Sequence, residues 1–453
     1  MHLTRLMTMN LGSPAGQCRA APVDLGPGRP GAVLAAWAAD FDVDPYSEMF
    51  FFPTDTLKLA LFTTDGDLLW RRDLGRAVVP GLWFCPVFPF DLDGDGVDEI
   101  WLVNNVNTLH PLGLSGYRLE RLDAATGQTT GQWPWPAWPE SRLSHTFRNF
   151  IAGGYIRGEP VLVTAQGTYE DMHLQGRRPD MAVRWTCDIP ADAPGARGSH
   201  MCPVVDLNQD GTDELMWGER CIELDRGTEL FCADRDAYRG HSDVVQPLWD
   251  AAAGRWRLYT ARESDSGTAP RVVLFDDAGR RLWGDVDHGH MDMGWTARLG
   301  DDGRHTAMAI RIGRKTCGPD GRHHQDIGEF AWDALTGRPA PLPFSVYRTL
   351  PVDLNGDGRH ELVRGIPGGD GAVLDGRGRP LGSVEGTVAL AAKLCDHPGE
   401  QVFTYRDDGT VALWADADAH DSQAALERYA QPFYRLARRL TATGYNLPLL
   451  GGL

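Results

Sequence analysis

Three stretches of this chain share one acidic spacing: Asp91-Leu-Asp93-Gly-Asp95-Gly-Val-Asp-Glu99, Asp206-Leu-Asn208-Gln-Asp210-Gly-Thr-Asp-Glu214 and Asp353-Leu-Asn355-Gly-Asp357-Gly-Arg-His-Glu361. Each carries oxygen ligands at positions one, three and five, a Gly at six and a Glu at nine. A hard cation needs that order: alternate side chains turn inward, the Gly allows the sharp bend and the Glu closes the shell. A helix-flanked calcium loop would place its last acid at about position twelve. Here each Glu opens an apolar run instead, such as Ile100-Trp-Leu-Val, so the loops lead into strands. The expected cofactor is structural Ca2+ on Asp91, Asp93, Asp95 and Glu99, on Asp206, Asn208, Asp210 and Glu214, and on Asp353, Asn355, Asp357 and Glu361.

Three copies also make the chain a repeat. A second motif, an apolar strand followed by Asp, one to three residues and Gly, recurs at Asp65-Gly66, Asp123–Gly127, Asp225–Gly227, Asp276–Gly279, Asp333–Gly337, Asp375–Gly378 and Asp407–Gly409, often with a Trp in the return strand. These are hairpin turns in which Gly supplies positive φ. Seven or eight hairpins at roughly 50–60 residues each suit propeller blades. The acidic loops lie 115 and 147 residues apart, about two and three blades. The expectation is an all-β fold: a seven-bladed β-propeller, with eight as the fallback, over residues 1–420. The stretch 421–453 has helical periodicity broken at Pro432 and reads as a short helical tail packed on the propeller.

The formal net charge of −18 argues against nucleic acid and anionic membranes as partners. An acidic saccharide stays compatible, because local arginines can override the global field. No stretch is long and apolar enough to span a bilayer, and the N-terminus lacks the apolar core of a secretory leader. The expected location is cytoplasmic if that terminus is complete, and secreted or periplasmic if a leader has been removed. Eight scattered cysteines without a CxxC pair read as buried thiols.

Candidate chemistry sits in polar, glycine-flanked settings. His145, His200, His241 and His290 recur at intervals of about one blade, and equivalent loops of successive blades converge on one funnel. His110 is a fifth candidate. The acidic loops serve as a ruler: His200 stands six residues before Asp206 and Tyr347 six before Asp353, and Trp83 matches them before Asp91 with a small insertion. Arg148, Arg220, Arg262 and Arg348 accompany them as carboxylate binders or as structural ion pairs. Cys317, His323 and His324 could hold zinc, although their spacing fits no standard motif. The aromatic loop Gly131-Gln-Trp-Pro-Trp-Pro-Ala-Trp-Pro139 could wall a carbohydrate cleft or simply pack.

The runs His145-Thr-Phe-Arg-Asn, Gly198-Ser-His-Met-Cys-Pro-Val-Val-Asp, Trp217-Gly-Glu-Arg, Gly240-His-Ser-Asp and Gly289-His-Met-Asp together resemble the β-propeller polysaccharide lyases, including ulvan lyases and L-rhamnose-α-1,4-D-glucuronate lyases. That resemblance implies β-elimination at a glucuronate or iduronate joined to rhamnose, on an acidic rhamnose-containing oligo- or polysaccharide. It makes His145 and His200 the acid/base pair and places Arg148, Arg220 and Arg262 on the substrate carboxylate. His241, His290, His110 and Trp83 would complete the funnel. Relatives also use a catalytic Tyr; Tyr169, Tyr238 and Tyr347 are the candidates, with Tyr347-Arg348 in the most polar setting. Two other readings compete: a non-catalytic calcium-stabilised propeller that binds glycan or protein, and an enzyme with a transition metal on the funnel histidines.

Overall fold

In the computed structural model the strands assemble into eight antiparallel sheets, ordered as the blades of a propeller. The structure describes all residues except 137, 264–269, 301–302 and 318–322, and omits the side chains of Met49, Lys315, Cys317, His323, His324 and Gln325. The sequence expectation of seven blades is therefore corrected to the eight held as the fallback. The last blade is composite: Leu3–Asn10 pairs with Thr410–Asp416 and joins Gln401–Tyr405 and Thr387–Ala392, so the two ends of the chain close the ring. The count fell short at the third blade (Asn149–Ile156, Glu159–Gln166, Met172–Arg177, Val183–Ile189), whose turn between its third and fourth strands, Arg178–Ala182, places Met181 rather than Gly at a positive φ of 66° and lacks the Asp-x-Gly signal.

Numbered from Gln17, the innermost strands are Gln17–Val23, Val87–Phe90, Asn149–Ile156, Val204–Val205, Ser242–Asp250, His290–Arg298, Leu350–Val352 and Thr387–Ala392. The acidic loops follow the innermost strands of blades 2, 4 and 7, so their sequence intervals do correspond to two and three blades. Their eighth residue has a common task. Asp98 accepts a hydrogen bond from the Asp24 amide at 2.7 Å and donates its own amide to the Asp24 carbonyl at 2.8 Å. Asp213 does the same with Tyr155, both at 2.8 Å. His360 does it with Arg298, Nδ1 accepting at 2.9 Å and the amide donating at 2.9 Å. Each loop thus fastens the lower end of the preceding blade's innermost strand, whose last backbone groups would otherwise lack partners.

A second lock joins blades at their outer edge. Trp70, Trp185 and Trp283 donate their indole N–H to the Ala124, Leu224 and Ala334 carbonyls at 2.7, 2.6 and 2.9 Å. Each ring lies on the turn glycine of the next blade: a Cβ at Gly127, Gly227 or Gly337 would stand 2.5–2.6 Å from it. The glycines of the hairpin motif are therefore required twice, for a φ near +68° and for the face of the neighbouring indole.

The tail forms two short helices, Gln423–Ala430 and Pro432–Ala437, the first capped by Ser422 and the second opening on Pro432. They lie on the acidic-loop face, where buried Arg428 approaches Glu400 at 3.1 Å and Asp353 at 3.7 Å, and Arg439 pairs with Asp98 at 3.1 Å. The chain then runs along the propeller axis. Thr441 bonds the Ala20 carbonyl at 2.7 Å, the Tyr445 amide bonds the His200 carbonyl at 2.8 Å, and Gln246 bonds the Pro448 carbonyl at 2.9 Å. Gly444 and Gly451 pass so close to the His200 and Thr296 carbonyls that a Cβ would come within 2.4 and 2.1 Å.

Candidate active site

The loops that precede the innermost strands, and those that join the second and third strands of each blade, meet on the face opposite the acidic loops. Blades 3 to 6 supply the polar cluster there. His145 sits in the one-turn helix Leu143–Thr146, and Arg148 directly precedes the innermost strand of blade 3. Tyr169 follows that blade's second strand, and His200 precedes blade 4. His241 and Asp243 open blade 5, Glu263 follows its second strand, and His290 and Asp292 open blade 6. Of the expected residues, the structure brings together His145, Arg148, His200, His241 and His290.

Tyr169 is the centre of the cluster. Its hydroxyl lies 3.0 Å from His200 Nε2, and its ring is 4.5 Å from that of His241 and 5.4 Å from that of His145. Burial pushes its phenol well above the usual range, with Arg148 pulling the other way. Arg148 is buried between Trp83 and Tyr169, its guanidinium 4.6 and 5.4 Å from their rings, and it pairs with Asp44 at 3.1 Å. Its Nε and Nη1 have no hydrogen-bond partner among the described residues. His200 Nδ1 is 3.3 Å from Asp243, while its Nε2 faces the Tyr169 hydroxyl.

A second layer surrounds Asp243. His241 Nε2 lies 3.3 Å from Asp243 and 3.5 Å from Glu263, while its Nδ1 faces the Thr168 carbonyl at 3.1 Å. Burial pushes the His241 imidazole down to about 4, so the ring is neutral at pH 7. His290 Nε2 is 2.8 Å from Asp292 and 3.3 Å from Glu263. The ligand atoms of Asp243, Glu263 and His290 all lie within 4.8 Å of one another, as do those of His200, His241 and Asp243. Convergent carboxylates and neutral imidazoles are a donor set that suits a divalent cation.

The floor is Tyr445, brought up the axis by the tail, its ring 4.8 Å from His200 and 5.1 Å from Trp83. It is 41% exposed, and it opens onto a cavity of about 370 Å3 that Asp243 and Asp292 border on one side and Trp295, Ile366, Val388 and Tyr405 on the other. The motif reading missed Tyr445 because it sits in a segment read only as packing. Asp44 and Glu263 carried no signal of their own, whereas Asp243 and Asp292 stand inside the Gly-His-x-Asp repeats.

Other expected residues lie elsewhere or do other work. Arg262 is wholly buried and grips Glu219 through two bonds of 2.7 and 2.6 Å, with Asp234 at 2.8 Å; no edge is left for a substrate. Arg220 bonds the Ala196 and Pro194 carbonyls and Glu229, and so holds the 190–198 loop. Both are structural ion pairs, because burial demands partners for a guanidinium. Trp83 is fully buried and props Arg148 and His200. His110 is exposed on the loop after Glu99–Asn105. Tyr347 stands at the start of blade 7 under Arg348, and Tyr238 is buried, donating to the His241 carbonyl; Tyr169 is the tyrosine of the cluster. The side chains of Cys317, His323 and His324 lie outside the described residues.

The acidic loops have the electrostatics of cation sites. Burial and neighbouring acids push Glu99 up to about 7, Glu214 and Glu361 up to about 8, and Asp353 up to about 7. Carboxylates held together in this way are what a divalent ion relieves. In the first loop Asp91, Asp93 and Glu99 converge within 4.8 Å; in the other two the Asn208 and Asn355 amides turn toward Glu214 and Glu361 at 3.2 and 2.9 Å.

No protein-family profile matches the chain. It is 27% identical over 461 residues to a rhamnogalacturonan exolyase, YesX, of Bacillus subtilis, spanning 87% of this chain and 70% of the relative. It is 26% identical over 267 residues to a rhamnogalacturonan endolyase, YesW, of the same organism, spanning 51% and 42% of the two chains. The crystal structure of YesX superposes with a TM-score of 0.75 at 18% identity, over 97% of this chain and 80% of that one. A Bacillus licheniformis rhamnogalacturonan lyase superposes equally well, at 0.75 and 18% identity over 98% and 81%. The chain is thus an eight-bladed β-propeller related to the propeller polysaccharide lyases, with rhamnogalacturonan rather than ulvan or glucuronate in the names of those relatives.

Proposed function

We propose that this chain is a carbon–oxygen lyase that breaks the C4–O4 bond of a uronic acid by β-elimination, O4 leaving with the rhamnose it joins. The observation that carries the reading is the Tyr169–His200 pair at 3.0 Å, set beside Arg148 in a funnel that also holds His145. Elimination needs the C5 proton to become acidic, a base to take it and an acid for the leaving oxygen. Arg148 binds the carboxylate and draws negative charge away from C5. The C5 proton passes to Tyr169 as the phenolic proton moves to His200 Nε2. The electron pair left on C5 forms the C4–C5 double bond and expels O4, which takes a proton back along the same path. His145, against the other side of Tyr169 and 3.1 Å from Glu170, is positioned to hold the leaving sugar.

A divalent cation on Asp243, Glu263 and His290 would add positive charge at the carboxylate. Calcium on the three acidic loops would be structural, fastening the clamps that set neighbouring blades. The names of the relatives favour galacturonate as the uronate over the glucuronate or iduronate expected from sequence. The test is incubation with rhamnogalacturonan, with ulvan and with glucuronate-linked rhamnosides, calcium supplied, following the ultraviolet absorbance of the new double bond. Absorbance growth on rhamnogalacturonan supports the reading. Silence on all three, with saccharide binding intact, leaves a non-catalytic glycan-binding propeller in its place.

A further inference from the structure

The loop between the last strand of blade 2 and the first of blade 3 carries an exposed indole that packs against the outer strands of blade 3. Trp138 is 44% exposed. One face is stacked on His173, centroids 4.2 Å apart and planes within 17°, and His173 is fixed by Asp188 at 2.7 Å. Gln166, itself 1% exposed, grips the Trp138 backbone from both sides, accepting from its amide at 3.0 Å and donating to its carbonyl at 2.6 Å. The indole is thus held rigidly at no further entropic cost on binding, which is how binding platforms are built.

Beside it lies a hollow of about 40 Å3, with Gln175, Thr186 and Asp188 on its walls. Thr164 also lines it; that residue is 1% exposed and its hydroxyl has no hydrogen-bond partner among the described residues. The hollow has room for one hydroxyl or hydroxymethyl arm, not for a ring. The surroundings are acidic. Glu140, Glu170, Asp171 and Asp188 border the rim, and burial together with Asp171 and Glu170 raises the Glu140 carboxyl. A uronate would be repelled there, while the apolar face of a neutral pyranose would not.

We infer that Trp138 is the stacking platform of a distal subsite that takes a neutral pyranose of the saccharide chain, its hydroxyl arm reaching into the Thr164–Gln175–Asp188 hollow. His173 stiffens the platform, and the acidic rim disfavours a uronate in this subsite. The inference rests on the saccharide reading of the funnel but not on cleavage.

The experiment compares the protein with Trp138→Ala and Trp138→Phe on a length series of rhamnogalacturonan oligosaccharides, by initial rate and by affinity electrophoresis on the polymer. The expected result for Trp138→Ala is a rise in KM on the order of ten-fold on long chains, with kcat kept and the shortest cleaved substrate unaffected. Trp138→Phe should lie between the two. Equal loss at every length, or no loss on long chains from a folded variant, overturns the inference. If the unaltered protein binds polymer in a Trp138-dependent way but cuts none, the platform stands and the lyase reading falls. If it cuts and Trp138→Ala binds polymer equally, the reverse holds.

Discussion

Replacing Tyr169 by Phe tests the proposed chemistry at one atom. The ring stays in place, because its contacts with His145, His241 and Arg148 at 4.5–5.4 Å do not involve the hydroxyl. What goes is the O–H that meets His200 Nε2 at 3.0 Å. A single neutral hydrogen bond contributes about 1 kcal/mol to stability, so Tyr169→Phe should unfold in urea with almost the unaltered midpoint. General acid–base catalysis is worth roughly 10²–10⁴-fold, and kcat should fall by that much while KM moves by only a few-fold, since Arg148 still holds the carboxylate. Continuous absorbance on rhamnogalacturonan reads both constants, and the circular dichroism spectrum checks the fold. A variant that keeps more than about a tenth of kcat would remove Tyr169 from the proton path and return the role to His145. A variant that loses affinity instead would make the phenol a binding group.

The other predictions bear on the cations, the tail and the buried arginines. In cation-free protein the raised carboxyls, at about 7 for Glu99 and Asp353 and about 8 for Glu214 and Glu361, lie above their unfolded values. Their stabilising contribution is complete below about pH 4 and is lost as pH rises through 7–8, so the rise in Tm given by calcium should grow from pH 5 to pH 8; a calcium effect that is flat with pH contradicts structural binding at these acids. Arg439→Ala leaves Asp98, which is 1% exposed, without its guanidinium and should cost about 3–5 kcal/mol in urea unfolding; a cost under about 1 kcal/mol would mean that the tail does not hold blade 2. Arg262→Lys should lower stability and leave KM unchanged, because the side chain serves Glu219 and Asp234; a raised KM with stability kept would restore it to the substrate. His290→Ala should remove metal from the purified protein, read by elemental analysis, if Asp243, Glu263 and His290 hold a cation; unchanged stoichiometry, with metal above the acidic loops' share, would place the ion elsewhere.

Much of the architecture was legible because it is periodic. The Asp-x-Gly hairpins and the acidic loops announce strands, turns and a repeat, and the ruler drawn back from Asp206 led to His200, which the fold places in the polar cluster. The blade number was missed at the third blade, where the Arg178–Ala182 turn places Met181 instead of Gly at positive φ and so leaves no Asp-x-Gly signal. The histidines were found by spacing, because equivalent loops do converge. Of the arginines, Arg148 reaches the cluster, but sequence could not separate it from Arg220 and Arg262, because a guanidinium in the Trp217-Gly-Glu-Arg220 motif looks the same in sequence whether it faces a cavity or the Ala196 carbonyl. Tyr169 could be placed only by geometry: it follows a second strand, not a first, and so fell off the ruler that selected Tyr347.

The tail ties these parts to one another. Its helices are anchored on the acidic-loop face through Arg428 to Glu400 and Asp353 and through Arg439 to Asp98. Its later residues end against Thr296 and Pro247 on the innermost strands of blades 6 and 5. Between the two it carries Tyr445 to the floor of the funnel, where the ring touches His200 and Trp83. Asp353 is at once the first residue of the third acidic loop and a partner of Arg428, and its carboxyl is pushed up by burial against Arg428's pull. Charge on that loop and the seating of the tail therefore depend on each other, and the seating of the tail sets the floor against which His200 stands. The acidic loops take no part in the chemistry proposed for the funnel, yet the chain that closes the funnel is held by two of them.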